Sequence, residues 1–244
     1  MKYAKMTGSV LTGMALVCSL AVHAEPQFHY TIGTGAGSGI PGKLVLIAVD
    51  FTVNEISAGG VTEEVPEWSE EAIMAVKRGV ANYYRGNVAF NIVLLPEVSN
   101  TEQEVIEEHV ALYQVVASTA RALIAHGGKA WQHKASRFDY TLGDGLAFLA
   151  ERSGADAGLI VIGAQSVSSA GRSALSIFSV VTGALTGVYM PMTGGGTFLT
   201  AGIVDFRTGD VLWFNFDNKF KAGRDIRDSV IAANAVKELL DAEL

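Results

Sequence analysis

The sequence predicts an α/β domain: a layered mixed sheet of about five strands flanked by helices, in the order β-α-β-α-α-β-α-β-β-α, closing on a C-terminal helix. Three observations predict it. Residues 44–49 and 158–164 are unbroken apolar runs of strand length, which suits strands covered on both faces. Stripes of apolar residues at helical spacing alternate with those runs. Two further strand-like runs, 199–206 and 211–216, are joined through Arg207, Thr208, Gly209 and Asp210, a turn with glycine where positive φ is useful, so the sheet contains a hairpin. With 244 residues and 49% hydrophobic composition the chain can bury a full core.

The chain divides into a signal peptide at 1–24, a flexible Gly-rich segment at 25–42 and a single α/β domain at 43–244. Lys2 and Lys5 precede an apolar run from Val10 to Val22, and Val22 and Ala24 occupy the −3 and −1 positions of a small-residue cleavage site before Glu25. The run is shorter than the roughly 20 residues needed to span a bilayer. Gly37, Gly39 and Gly42 spell G-x-G-x-x-G, but a strand follows these glycines where a phosphate cradle needs a helix, and Pro41 removes an amide. No nucleotide cofactor is expected.

The first strand, 44–53, leads to a helix that Ser69 can cap, with Ile73, Val76, Val80 and Tyr84 on one stripe. Residues 88–95 read as a second strand. Thr101 and Glu104 match a capping box that opens a long helix through Val105, Leu112, Val116 and Leu123. Thr141 is placed to cap a shorter helix ending at Gly154. A third strand at 158–164, a buried helix in the uncharged stretch that runs into the hairpin, the hairpin itself and a last helix at 225–240 complete the order.

Cys18, the only cysteine, lies in the signal, so a cleaved chain has no thiol for a disulfide, a thiolate metal site or a nucleophile. Removing Lys2 and Lys5, with no acid in those residues, takes the formal charge from −7 to −9. That balance disfavours nucleic acid and anionic lipid as partners. Localisation is expected to be periplasmic or secreted after cleavage following Ala24, with lipid anchoring at Cys18 a lesser alternative because Val17 stands where a small residue is needed.

From Ser173 to Val204 there is no charged residue, and Ser179, Gly183 and Gly187 recur at four-residue spacing. Burial or a protein contact is favoured over membrane insertion, because polar residues interrupt the run. Val180, Gly183, Leu185 and Gly187 form the candidate interaction segment. Arg172 stands alone between apolar segments, and a buried arginine needs a carboxylate partner; Asp156 or Asp205 would serve, as a structural ion pair or an anion site. His109 sits on the apolar stripe of the long helix and reads as a core histidine, while His126 and His133 lack the spacing of a metal site. Glu63, Glu64, Glu67, Glu70 and Glu71 read as a solvated helix entrance around Trp68. No catalytic, cofactor-binding or metal residue is assigned.

Residues 55–60, Trp68, residues 142–145, Gly154 with Asp156, Gly171 with Arg172, and the run from Asp205 to Trp213 together resemble an uncharacterised family of exported bacterial envelope proteins. The layout is also similar to lipoproteins related to the curli secretion channel and to the amino-terminal domain of the Tol translocation protein. The resemblance implies a compact α/β sheet and a role in envelope assembly, and it carries over no catalytic residue. The expected function is an exported periplasmic or envelope-associated interaction protein, working through a protein partner or self-association. An exported hydrolase or anion-binding enzyme using Arg172 with Asp156 or Asp205 is one alternative, and a membrane-inserting secretion-channel subunit is the other.

Overall fold

The computed structural model describes residues 25–33, 39–57, 61–85, 90–125, 134, 137–168, 196–217 and 224–241. Their elements are β1 Gln27–Phe28, β2 Lys43–Ile56, β3 Thr62–Glu64, α1 Pro66–Arg85, β4 Asn91–Leu94 and α2 Asn100–Ala125. A 3-10 turn at Asp144–Leu146 then runs into α3 Ala147–Ser153, followed by β5 Ala157–Ser168, β6 Gly196–Asp205, β7 Val211–Asp217 and α4 Ser229–Leu240.

The strands form one mixed sheet in the order β1-β7-β6-β5-β2-β3. Strand β2 runs parallel to β5 along its length and parallel to β4 over residues 43–46, and its last three residues pair antiparallel with β3. The remaining pairings, β5 with β6, β6 with β7 and β7 with β1, are antiparallel. This is the predicted layered mixed sheet with its C-terminal helix, extended by two short strands, β1 and β3. Strand β1 lies within the segment read as flexible, where Phe28 packs against the core and His29 N donates to Leu212 O at 2.8 Å.

Two apolar layers sandwich the sheet. Helices α1 and α4 cover one face with Ala72, Val76, Val80, Val236 and Leu239. Helix α2 and the turn into α3 cover the other with Ile106, Tyr113, Ala117, Leu146 and Leu149. A bulge in β2 between Leu46 and Ala48 sets which residues face which layer. Before it Leu44 faces α1 and Val45 faces α2; after it the odd residues Val49, Phe51 and Val53 face α1. The bulged Ile47 lies over Gly158, where a Cβ would stand 2.5 Å from Ile47 Cδ1 and would have to displace it.

Three predicted caps are displaced. Helix α1 starts at Pro66, three residues before Ser69, consistent with proline's fixed φ at a first helical position. Ser69 is instead buried inside the helix, where its hydroxyl accepts from Val53 N at 2.9 Å and donates to Glu64 Oε1 at 3.0 Å, tying α1 to β2 and β3. The capping box of α2 is Ser99 with Glu102, not Thr101 with Glu104: Ser99 N donates to Glu102 Oε2 at 2.8 Å and Glu102 N donates back to Ser99 Oγ at 3.3 Å. Thr141 forms a bridge to Asp210 rather than capping a helix. Helix α4 begins at Ser229, a turn later than expected, because Asp228 accepts from Val230 N at 2.8 Å and Ile231 N at 3.0 Å.

Candidate functional site

The sequence-selected Asp156 and Asp205 meet at one end of the sheet, where β5 begins opposite the end of β6, Ala157 pairing with Asp205. Asp205 Oδ1 accepts from Arg207 N at 2.8 Å and Thr208 N at 2.9 Å, and Gly209 N donates to Asp205 O at 2.9 Å. That carboxylate is spent on the hairpin turn. Asp156, with a side chain 59% exposed, pairs with Arg207 at 2.9 Å. Gly209 has φ of +73°, and a Cβ on it would strike Gly143 O, so the turn seats against the residues that precede α3. Leu142 N donates to Gly209 O at 2.8 Å. Pieces 142–145, 154–156 and 205–213 of the motif set thus form one structural corner.

Arg172 lies outside the described residues, as do Val180, Gly183, Leu185 and Gly187. Asp156 immediately precedes the first residue of β5, and Ser168, four residues before Arg172, is its last, a separation of roughly 40 Å at strand rise. Within the uncharged stretch, residues 196–204 form most of β6, mostly buried between β5 and β7; residues 173–195 fall outside the described set. His126 and His133 also fall outside it. His109 Nδ1 donates to Val105 O at 2.7 Å, and its ring lies against Gly145. Among the described residues no group of three or more His, Cys, Asp or Glu could hold a metal, and no helix is long and apolar enough to cross a membrane.

The acidic helix entrance lines a shallow, open depression of about 400 Å³, bounded by Glu67, Glu70, Glu71, Met74, Arg78 and Arg227. Arg227 lies over the Trp68 ring at 4.3 Å and pairs with Asp225 at 2.6 Å. The hydrogen bonds from Arg227 hold the Asp225 carboxyl below its ordinary range, and the same contact raises the Arg227 guanidinium. These groups satisfy one another at a surface.

The two faces of α2 are the less expected feature. From Ala111 to Ala125 the helix carries a single charge, Arg121. Its outer face exposes Leu112 at 41% and Val115 at 61%. Ser118 and Thr119 turn their hydroxyls back onto Gln114 O and Val115 O, each at 2.8 Å, which leaves that face without free polar groups from these two residues. Arg121 itself points inward. It stands four and eight residues beyond Ala117 and Tyr113 on the buried stripe, is 4% exposed, and holds its Cζ 4.5 Å from the centroid of Phe198 on β6. Its Nε has no hydrogen-bond partner. Burial pulls the guanidinium down to about 10, well below its ordinary range. Arg121 was not among the residues selected from the sequence, although a lone charge at i+8 on an apolar stripe is the signal that finds it.

No protein-family model matches the chain, and no curated protein matches it. Among solved structures the chain is similar to a dodecamer of a PelC point variant from Paraburkholderia phytofirmans, at 13% identity and a TM-score of 0.34, over 86% of this chain and 93% of that one. It is also similar to the LpoB C-terminal domain from Salmonella enterica, at 14% identity and a TM-score of 0.25, over 76% of this chain and 88% of that one.

Proposed function

We propose that the mature chain, beginning at Glu25, is an exported interaction protein of the cell envelope that self-associates and does no catalysis of its own. The observation that carries this reading is the outer face of α2, with exposed Leu112 and Val115 in a stretch whose one charge is turned into the core. A chain of formal charge −7 repels its own copies wherever acidic faces meet, and this charge falls to −9 without residues 1–24. An uncharged helix face is where two copies approach without that penalty. A second copy of the chain is therefore the occupant proposed for it. The segment bearing Val180, Gly183, Leu185 and Gly187 is proposed as a second contact.

Charge placed on the α2 face tests this. Both side chains are exposed, so Leu112→Glu with Val115→Glu leaves the core intact and should convert the assembled species to monomer at the same protein concentration. A double variant that folds and retains the assembled mass removes the α2 face from the account. Val180→Asp with Leu185→Asp tests the second contact in the same way. The N-terminal residue of the exported protein, read by mass spectrometry, is expected to be Glu25, and an intact residue 1 in the exported fraction contradicts cleavage after Ala24.

A further inference from the structure

Arg121 is a buried cation for which no described carboxylate supplies a counter-charge. Of the 25 carboxylate side chains, all but Glu243 are among the described residues, and none of these pairs with Arg121.

The sheet beneath Arg121 carries a second unmatched group. Alternation along β5 puts Ile160, Ile162, Ala164 and Ser166 on the α2 face. Ala164 pairs with Phe198 and Ser166 with Gly196. Ser166 is 3% exposed, and its Oγ is buried without a hydrogen-bond partner. It sits one pleat repeat, about 7 Å, beyond Ala164, opposite Gly196. A guanidinium donor and a hydroxyl, both lacking partners, thus flank the Phe198 ring on one face.

We propose that Arg121, Phe198 and Ser166 form a binding site for a small monocarboxylate. A guanidinium over an aromatic face keeps its N–H groups in its own plane, free for the bidentate geometry that a carboxylate matches. The Ser166 hydroxyl supplies a further donor. A single cation in a chain of charge −7 suits a monoanion rather than a phosphate dianion or a polyanion. The site does not depend on self-association.

Acetate serves as the probe. The chain from Glu25 to Leu244 is unfolded by heat at pH 7 in increasing acetate, against chloride at equal ionic strength, at two protein concentrations. A saturable rise of the wild-type midpoint is expected, and a hundredfold excess over the dissociation constant raises the folded-to-unfolded ratio about a hundredfold. Arg121→Met and Arg121→Gln should abolish the rise, and Ser166→Ala should weaken acetate binding about tenfold, the loss of one hydrogen bond to a charged group. Arg121→Gln keeps the test decisive should the methionine variant fail to fold. Equal acetate responses in wild type and both Arg121 variants overturn the proposal. So does a wild-type midpoint that follows protein concentration and ignores acetate, which would place the carboxylate on another chain.

Discussion

Replacing Arg121 by methionine should stabilise the fold in chloride buffer, and the size of the gain follows from the burial. Methionine is flexible and of comparable length, so it fills the space between α2 and Phe198 without a charge. The guanidinium's fall from its ordinary range to about 10 corresponds to a desolvation cost of about 3 kcal/mol at ~1.4 kcal/mol per unit. Its place over Phe198 returns about 1 to 2 kcal/mol. The net gain for Arg121→Met is about 1 to 2 kcal/mol, or an increase of about 2 to 8 °C in midpoint for a domain of this size. Urea unfolding at pH 7 without carboxylate buffers measures it, with the slope m unchanged between the two proteins. The sign with pH is also set. Above the folded value of about 10 and below the higher unfolded one, the unfolded state binds more protons, so wild-type stability rises with pH and the advantage of methionine shrinks. A methionine variant less stable than wild type by about 1 kcal/mol or more, the scale of a single lost interaction, would show that the guanidinium already has a counter-charge. That result would refute both this reasoning and the carboxylate site.

Three other perturbations test the packing and the electrostatics. Gly202→Ala drives a Cβ into the Tyr113 ring, in a fully buried contact between β6 and α2, and should cost about 1 to 3 kcal/mol by thermal or urea unfolding. Asp228→Ala removes the acceptor of Val230 N and Ile231 N at the start of α4, with an expected loss of about 1 kcal/mol in the same assay. Asp225 is held below its ordinary 3.8 by Arg227, so its contribution is fully present above pH 3.8 and is lost as pH falls through the lower folded value. Asp225→Asn should flatten that acid limb in a pH series of unfolding midpoints, and an unchanged limb would show that the pair does not contribute.

The fold was legible wherever a long period or a turn residue carried it. Strands β2 and β5 stand out because each is covered on both faces, and the β6–β7 turn because Gly209 supplies the φ of +73° that its contact with Gly143 also demands. Strands β1 and β3, of two and three residues, are too short to show a period. The α2 cap was misplaced because Ser99 with Glu102 and Thr101 with Glu104 both satisfy the same four-residue pattern. A distant contact accompanies the observed choice: Arg152 of α3 pairs with Glu102 at 2.7 Å, reinforcing the first box. Ser69 fits a cap pattern equally well, yet the sheet takes its hydroxyl. The candidate site was less legible. Asp156 and Asp205 stood out as acids near an apolar strand, but the partner of Asp156 is Arg207, which belongs to the turn rather than the uncharged stretch. Arg121 was hidden because arginine on a helix usually faces water, and only its position relative to Tyr113 and Ala117 shows otherwise.

The central claim is that the exported chain assembles through uncharged surface. The measurement that tests it most directly is the solution molar mass of residues 25–244 by light scattering, without detergent and across a range of concentrations. The account predicts a defined oligomer whose mass collapses to that of one chain when Leu112 and Val115 carry glutamate. A wild-type protein that stays monomeric at every concentration would contradict it.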